Sequence, residues 1–207
     1  MEGIAQTAHP YRYPMQAHSR RHGPAGYKDY RDYRPWLEDE FLFRCVYCLK
    51  RQKWSRTDVW SLDHLKPKSE YPELECEYNN LILTCQWCNN RKLADSVPDP
   101  MAVAYGNCLQ VKDDSGEVRS LNQDGEILIR VLKLNSPEQV HTRLNTLRIL
   151  NTLAKSNPVH WKSMMGFPDH LPVLRRKSPP SGNTRPEGID ESWLERKRRN
   201  ELPEVYE

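Results

Sequence analysis

Two Cys-x-x-Cys pairs, Cys45-Val46-Tyr47-Cys48 and Cys85-Gln86-Trp87-Cys88, enclose an Asp63-His64 dipeptide, and Asn89-Asn90-Arg91-Lys92 follows the second pair directly. Four thiolates paired in this way make a closed tetrahedral zinc site, in which sulfur takes every position and none is left for water. Such a metal stabilises the fold and does no chemistry on a substrate. The 36 residues between Cys48 and Cys85 exceed the roughly 15–20 of an ordinary zinc ribbon, so the loop is expected to carry a second feature. Asp63 and His64 are the candidates. A carboxylate is a hard oxygen ligand for Mg²⁺, and an imidazole of ordinary pKa, about 6.5, can take a proton from water. Asn89 adds an amide oxygen. One carboxylate, one amide oxygen and several waters make a magnesium site. An Asp-His pair by itself is more often a surface ion pair; its place between two zinc knuckles changes that balance. Neighbours on a strand point to opposite faces, so a bend or bulge after Leu62 is expected to bring both side chains to one cleft.

The flanking pattern supplies the elements that must hold these groups. Pro35 opens a helical spacing of Trp36, Leu37, Glu40, Phe41 and Phe43 that delivers the chain to Cys45. Val59 to His64 reads as a strand, Pro67 to Pro72 as a loop, Leu81-Ile82-Leu83 as a buried turn or short helix, and residues 88–96 as a helix. Further on, Ser115-Gly116 and Asp124-Gly125 are turn signals, and Ile127 to Leu134 is an apolar run suited to a buried strand. Ser136-Pro137-Glu138-Gln139 is a capping box that starts a helix with Val140, Leu144, Leu147, Leu150 and Ala154 on one face. The fold class is α+β. Residues 1–34 read as a flexible basic and aromatic arm, 35–160 as one domain (zinc-bound core 35–100, strand-helix extension 101–160), and 161–207 as a Pro- and charge-rich tail.

Hydrophobic residues make up 37% of the 207, and mean hydropathy is −0.86, so a modest core is expected, with much of the chain exposed. No apolar run approaches the ~18–20 residues of a membrane span. The opening Met1-Glu2-Gly3-Ile4-Ala5 lacks a secretory pattern, and six cysteines suit a reducing cytoplasm, four of them on metal. Cys76 and Cys108 read as free thiols, with Cys76 a lesser alternative ligand. Net charge is only +3, yet Arg12, Arg20, Arg21, Lys28, Arg31 and Arg34 interleave with tyrosines and histidines in the arm. That mixture suits phosphate contact and base stacking; a solvated arm without a partner is the competing reading.

At Asp63-His64, Asn80-Leu81, Asn89 and Lys92, set between the two Cys pairs, the region about 35–100 resembles the HNH endonucleases, the ββα-metal or His-Me finger nucleases, in their zinc-containing branch. The resemblance implies a small ββα-metal core stapled by zinc, with a catalytic Mg²⁺ or Mn²⁺. It implies His64 as general base, Asp63 and Asn89 as cation ligands, and Asn80 as the side chain that fixes the turn behind His64. Arg91 and Lys92, beside Asn89, would contact phosphates, with a solvated helix end as the competing reading. The implied substrate is DNA, RNA satisfying the same chemistry, with 5′-phosphate and 3′-hydroxyl products and a role in genome defence or on mobile DNA. Many members carry His where Asn89 stands; an oxygen ligand there favours Mg²⁺ or Mn²⁺ over metals that prefer imidazole. The rival is a non-catalytic zinc-dependent nucleic-acid-binding module, which has no need of Asp63, His64 and Asn89 together. No specificity domain is evident, which leaves room for a partner protein that supplies targeting.

Overall fold

A computed structural model describes residues 8–54 and 59–206. Its architecture is α+β. A 3-10 turn, Tyr30–Tyr33, runs into α1 (Arg34–Glu40), which has Pro35 in its first turn and buries Trp36 and Leu37. Strands β1 (Trp60–His64) and β2 (Leu81–Cys85) pair antiparallel, and α2 (Gln86–Lys92) follows β2 without a break. This is the ββα unit. All five residues of β2 are buried, so the apolar run Leu81-Ile82-Leu83 is a central strand and not the expected turn or short helix. A fully buried strand shows no alternation, and a run of three cannot be told from a helix by periodicity.

A second hairpin, β3 (Leu109–Val111) and β4 (Val118–Ser120), leads into α3 (Gln123–Leu132). The strand expected over Ile127 to Leu134 is therefore a helix. Leu128, Val131 and Leu132 stand at i, i+3 and i+4 and are buried, while the Asn122 side chain caps the first turn at the Gly125 N–H, 3.0 Å away. Gly125 serves close packing, not the expected turn, because a Cβ there would sit 2.1 Å from the Cys108 carbonyl oxygen. Helix α4 (Pro137–Ser156) starts as the capping box requires, with the Ser136 hydroxyl accepting from the Gln139 N–H. The short helices α5 (Pro158–Met165), α6 (Glu187–Asp190) and α7 (Trp193–Arg198) complete the chain. No helix among the described residues is long and apolar enough to cross a membrane.

Both terminal segments, expected to be flexible, are packed on the core over their described parts. Tyr11, Tyr13 and His22 are buried. Arg20, Arg21 and Arg34 of the arm are engaged internally, while Arg12, Lys28 and Arg31 are exposed. The Arg20 guanidinium lies between the rings of Phe41 and Tyr78 and donates to the Leu81 carbonyl, and Arg21 pairs with buried Asp39. Glu40 receives His18 at 2.9 Å, the backbone N–H groups of Arg21 and His22, and the Tyr78 hydroxyl. The tail meets the arm at a Pro24–Asn183 bridge. It reaches the core through Arg51, which donates to the carbonyls of Met165 and Tyr206 and lies on the Tyr206 ring. Arg-rich, Pro-rich sequence looks solvated because its partners, buried carboxylates and carbonyls, lie far away along the chain.

Candidate active site and zinc knuckles

The first knuckle is a tight turn. Leu49 adopts φ +61°, which lets its N–H return to the Cys45 carbonyl, and the Cys45 N–H bonds the Lys50 carbonyl. In the second knuckle, Cys85 ends β2 and caps α2, so Cys88 sits one helical turn later. Val46 N–H to Leu83 O, 3.1 Å, stitches the knuckles together. The four sulfurs are buried and lie within 4.8 Å of one another. Cys48 and Cys85 are 3.7 Å apart, which is far from a disulfide bond and close to the about 3.8 Å edge of a tetrahedron with ~2.3 Å Zn–S bonds. The electrostatics agree. Hydrogen bonds from Cys45, Cys48 and Cys88 hold the Cys85 thiol far below its ordinary range. Burial pushes Cys45 well up, and its thiol neighbours followed by burial do the same for Cys88. Four buried thiols this close together fit a divalent cation that takes thiolate ligands. Cys76 and Cys108 lie outside it: the Cys76 thiol donates to the Lys28 carbonyl, and Cys108 is buried against Ala104.

Asp63 and His64 are the last residues of β1. The expected bulge is absent, since pairing runs regularly from Trp60–Cys85 to His64–Leu81, and the two side chains take different partners. Asp63 is buried against α2 and the first knuckle: Lys92 Nζ lies 3.4 Å from its Oδ1, and the Tyr47 hydroxyl donates to its Oδ2 at 2.9 Å. Burial raises the Asp63 pKa, opposed by the Lys92 charge and the Tyr47 hydrogen bond. Burial likewise pushes Tyr47 well above the ordinary phenol range, aided by the Asp63 charge, so it stays a donor. His64 turns to the loop after β1, with its Nε2 3.0 Å from the Glu75 carbonyl. A carbonyl can only accept, so Nε2 carries the proton. Nδ1 is then the lone-pair nitrogen, and it has no hydrogen-bond partner among the described residues. Burial depresses the His64 pKa, which favours the neutral form near pH 7.

The loop behind His64 is pinned by Asn80. Its Oδ1 accepts from the Lys66 N–H at 2.8 Å, and its Nδ2 donates to the carbonyls of Lys66 and Leu74. That holds Glu75 where His64 finds it. Asn89, half-buried in α2, has no side-chain hydrogen bond among the described residues. An unengaged amide oxygen and a carboxylate with lone pairs to spare are the donor chemistry a hard divalent cation takes. Lys92 departs from its expected role. It is fully buried, bonded to Asp63 and, at 2.8 Å, to the His64 carbonyl, so it cannot reach a phosphate. Arg91 is exposed and lies over the Trp87 ring. Tyr47, Glu75 and Lys92 are the contributors that sequence reasoning missed or misassigned. Only the Lys92 position, one helical turn beyond Asn89, carried a local signal.

Residues 45–95 match the family model for HNH endonuclease. No curated protein matches the chain. The zinc-compatible cluster and the ββα unit lie within the matched segment. This places the region among nucleases and nucleic-acid-binding modules with a candidate metal site.

Proposed function

With residues 45–95 as an HNH domain, we propose that the chain is a metal-dependent endonuclease that hydrolyses DNA phosphodiester bonds, by nicking or by double-strand cleavage. The observation that carries this reading is the state of His64: Nε2–H donates to Glu75, Nδ1 has no hydrogen-bond partner among the described residues, and burial favours the neutral ring. In that state a histidine can accept a proton from an attacking water. Asn80 acts at one remove, by holding the loop that supplies the Glu75 carbonyl. Asp63 and Asn89 would hold a Mg²⁺ or Mn²⁺ ion, with Lys92 and Tyr47 orienting the carboxylate from behind. When bound, such an ion neutralises charge that builds on the phosphate and the leaving oxygen. Arg91 is the remaining candidate for a phosphate contact, and any targeting partner would act outside this unit.

A second reading, a zinc-stapled nucleic-acid-binding module without catalysis, draws support from one feature: the Asp63 carboxylate already has a buried ammonium beside it. Purified protein incubated with supercoiled plasmid and Mg²⁺ or Mn²⁺ separates the two. Nicking or linearisation by wild type and not by His64→Ala is expected. Binding without cleavage at any metal concentration would favour the module.

A further inference from the structure

His64 is held by one hydrogen bond at Nε2, and a single bond does not stop an imidazole from rocking about its Cβ–Cγ axis. A second restraint comes from outside the matched segment. The ring of Tyr30, in the 3-10 turn before α1, meets the His64 ring edge-on, with centroids 4.8 Å apart and planes at 66°. Tyr30 is itself fixed. The Lys68 ammonium lies over its ring, 5.4 Å from the centroid, and bonds the Glu75 carboxylate at 3.0 Å. Glu75 in turn offers His64 its carbonyl. The four residues His64, Glu75, Lys68 and Tyr30 therefore close a circuit of contacts around the imidazole. The turn that carries Tyr30 is anchored on both sides. The Cys76 thiol donates to the Lys28 carbonyl at 3.2 Å, Tyr33 packs on Tyr27 and Tyr78, and the Arg34 guanidinium donates to the Trp60 carbonyl of β1.

We propose that Tyr30 is a positioning residue for His64, a fourth element added by the N-terminal segment to the ββα unit, which holds the imidazole with Nε2 on Glu75 and Nδ1 turned to the substrate side. It rests on the reading of His64 as the base. Tyr30 supplies its ring, not its hydroxyl: the contact is between ring faces and edges, the geometry aromatic pairs prefer. A base that rocks by an ångström loses rate without losing substrate, because binding is made elsewhere and only the proton transfer depends on its aim.

The test uses the full chain loaded with zinc, as wild type, Tyr30→Phe, Tyr30→Leu and Tyr30→Ala, with melting temperature and zinc content as controls for folding. Two readouts are taken. The first is the pair of ¹⁵N resonances of the His64 ring, which report which nitrogen carries the proton and whether one orientation dominates. The second is plasmid cleavage at saturating Mg²⁺, analysed as kcat and KM. Tyr30→Phe is expected to match wild type in both. Tyr30→Leu and Tyr30→Ala should show averaged ring resonances and a kcat lower by about 10- to 100-fold, with KM within about twofold. Unchanged resonances and kcat in a folded Tyr30→Ala or Tyr30→Leu would overturn the proposal. So would a rise in kcat, which would make Tyr30 a cover over the base. If wild type itself does not cleave, the endonuclease reading fails, and the ring resonances alone then decide whether Tyr30 positions His64.

Discussion

The four-cysteine cluster and the His64 site share one 51-residue segment and are built on opposite plans. Every group of the first comes from two short motifs, each closed by its own local turn: Leu49 folding back on Cys45, and the start of α2 bringing Cys88 beneath Cys85. The second is assembled from afar. His64 depends on Glu75 and Tyr30, and Asp63 on Tyr47 and Lys92. The four-thiol cluster is specified by spacing, whereas the orientation of the His64 ring is specified by packing.

The largest effect that could break this contrast lies at the zinc ligands. Cys45→Ser or Cys88→Ser should release the metal and with it most of the folding free energy of the segment, of the order of the ~10–16 kcal/mol that zinc contributes in small modules. Metal analysis and thermal melts would read this. Cys76→Ser and Cys108→Ser should keep one zinc per chain, and zinc loss from Cys76→Ser would show that the ligand set is misassigned.

Rates should divide the second site internally. His64→Ala should slow cleavage by roughly 10²–10⁴-fold, and added metal should not restore it. Asn89→Ala should bind metal more weakly and recover part of its rate at high Mg²⁺ or with Mn²⁺. Asn89→His should keep some activity and move its preference toward metals that accept imidazole. A metal titration of cleavage rate compares all three. If metal rescued His64→Ala as readily as Asn89→Ala, His64 would be a ligand and not a base.

Lys92 sharpens the contrast, because it shows a charge that belongs to packing. Lys92→Met keeps the volume but leaves the Asp63 carboxylate buried beside no cation, which should cost about 3–5 kcal/mol of stability. The double variant Lys92→Met/Asp63→Asn should recover a large part of that loss in urea melts. Full stability in the single variant would mean that Asp63 is neutral in the folded chain.

A smaller effect concerns the segment that carries Tyr30. Burial alone would raise the Glu40 pKa, but hydrogen bonding and charge from His18, the Arg21 N–H and the nearby His22 outweigh it and hold the carboxyl at about 2, below its ordinary 4.5. A carboxyl depressed in the folded state stabilises above its unfolded pKa, and that contribution is lost as pH falls from about 4.5 toward 2. It is worth roughly 3 kcal/mol. Melts between pH 6 and pH 2.5 should show an acid-labile phase in wild type that Glu40→Gln lacks. An identical acid profile in the variant would remove Glu40 as the anchor of the arm.

Much of the knuckle region was legible because its constraints are local. Cys spacing, the Pro35 helix start, the Val59 to His64 strand and the Ser136 cap each depend on residues within a few positions of one another. What misled was also local. The apolar run of Ile127 to Leu134 suggested a buried strand, although Leu128, Val131 and Leu132 carried the helical spacing. The positive charge of the arm suggested a nucleic-acid contact, although Arg20, Arg21 and Arg34 find internal partners. Lys92 was misjudged for the same reason: beside Arg91 at a helix end it looks solvated, and no pattern in the chain pairs it with a carboxylate 29 residues earlier.

Residue types and spacing alone carried the four-thiol cluster and the family resemblance, and singled out His64 as the candidate base, because thiolates in fixed pairs and an Asp-His between them have few other uses. Which ring nitrogen of His64 holds the proton, what lies against that ring, and which cation neutralises Asp63 came only from the folded chain. A tautomer is set by one hydrogen bond to the Glu75 carbonyl, and an orientation by one ring contact with Tyr30. Those contacts join segments that only the packed core brings together.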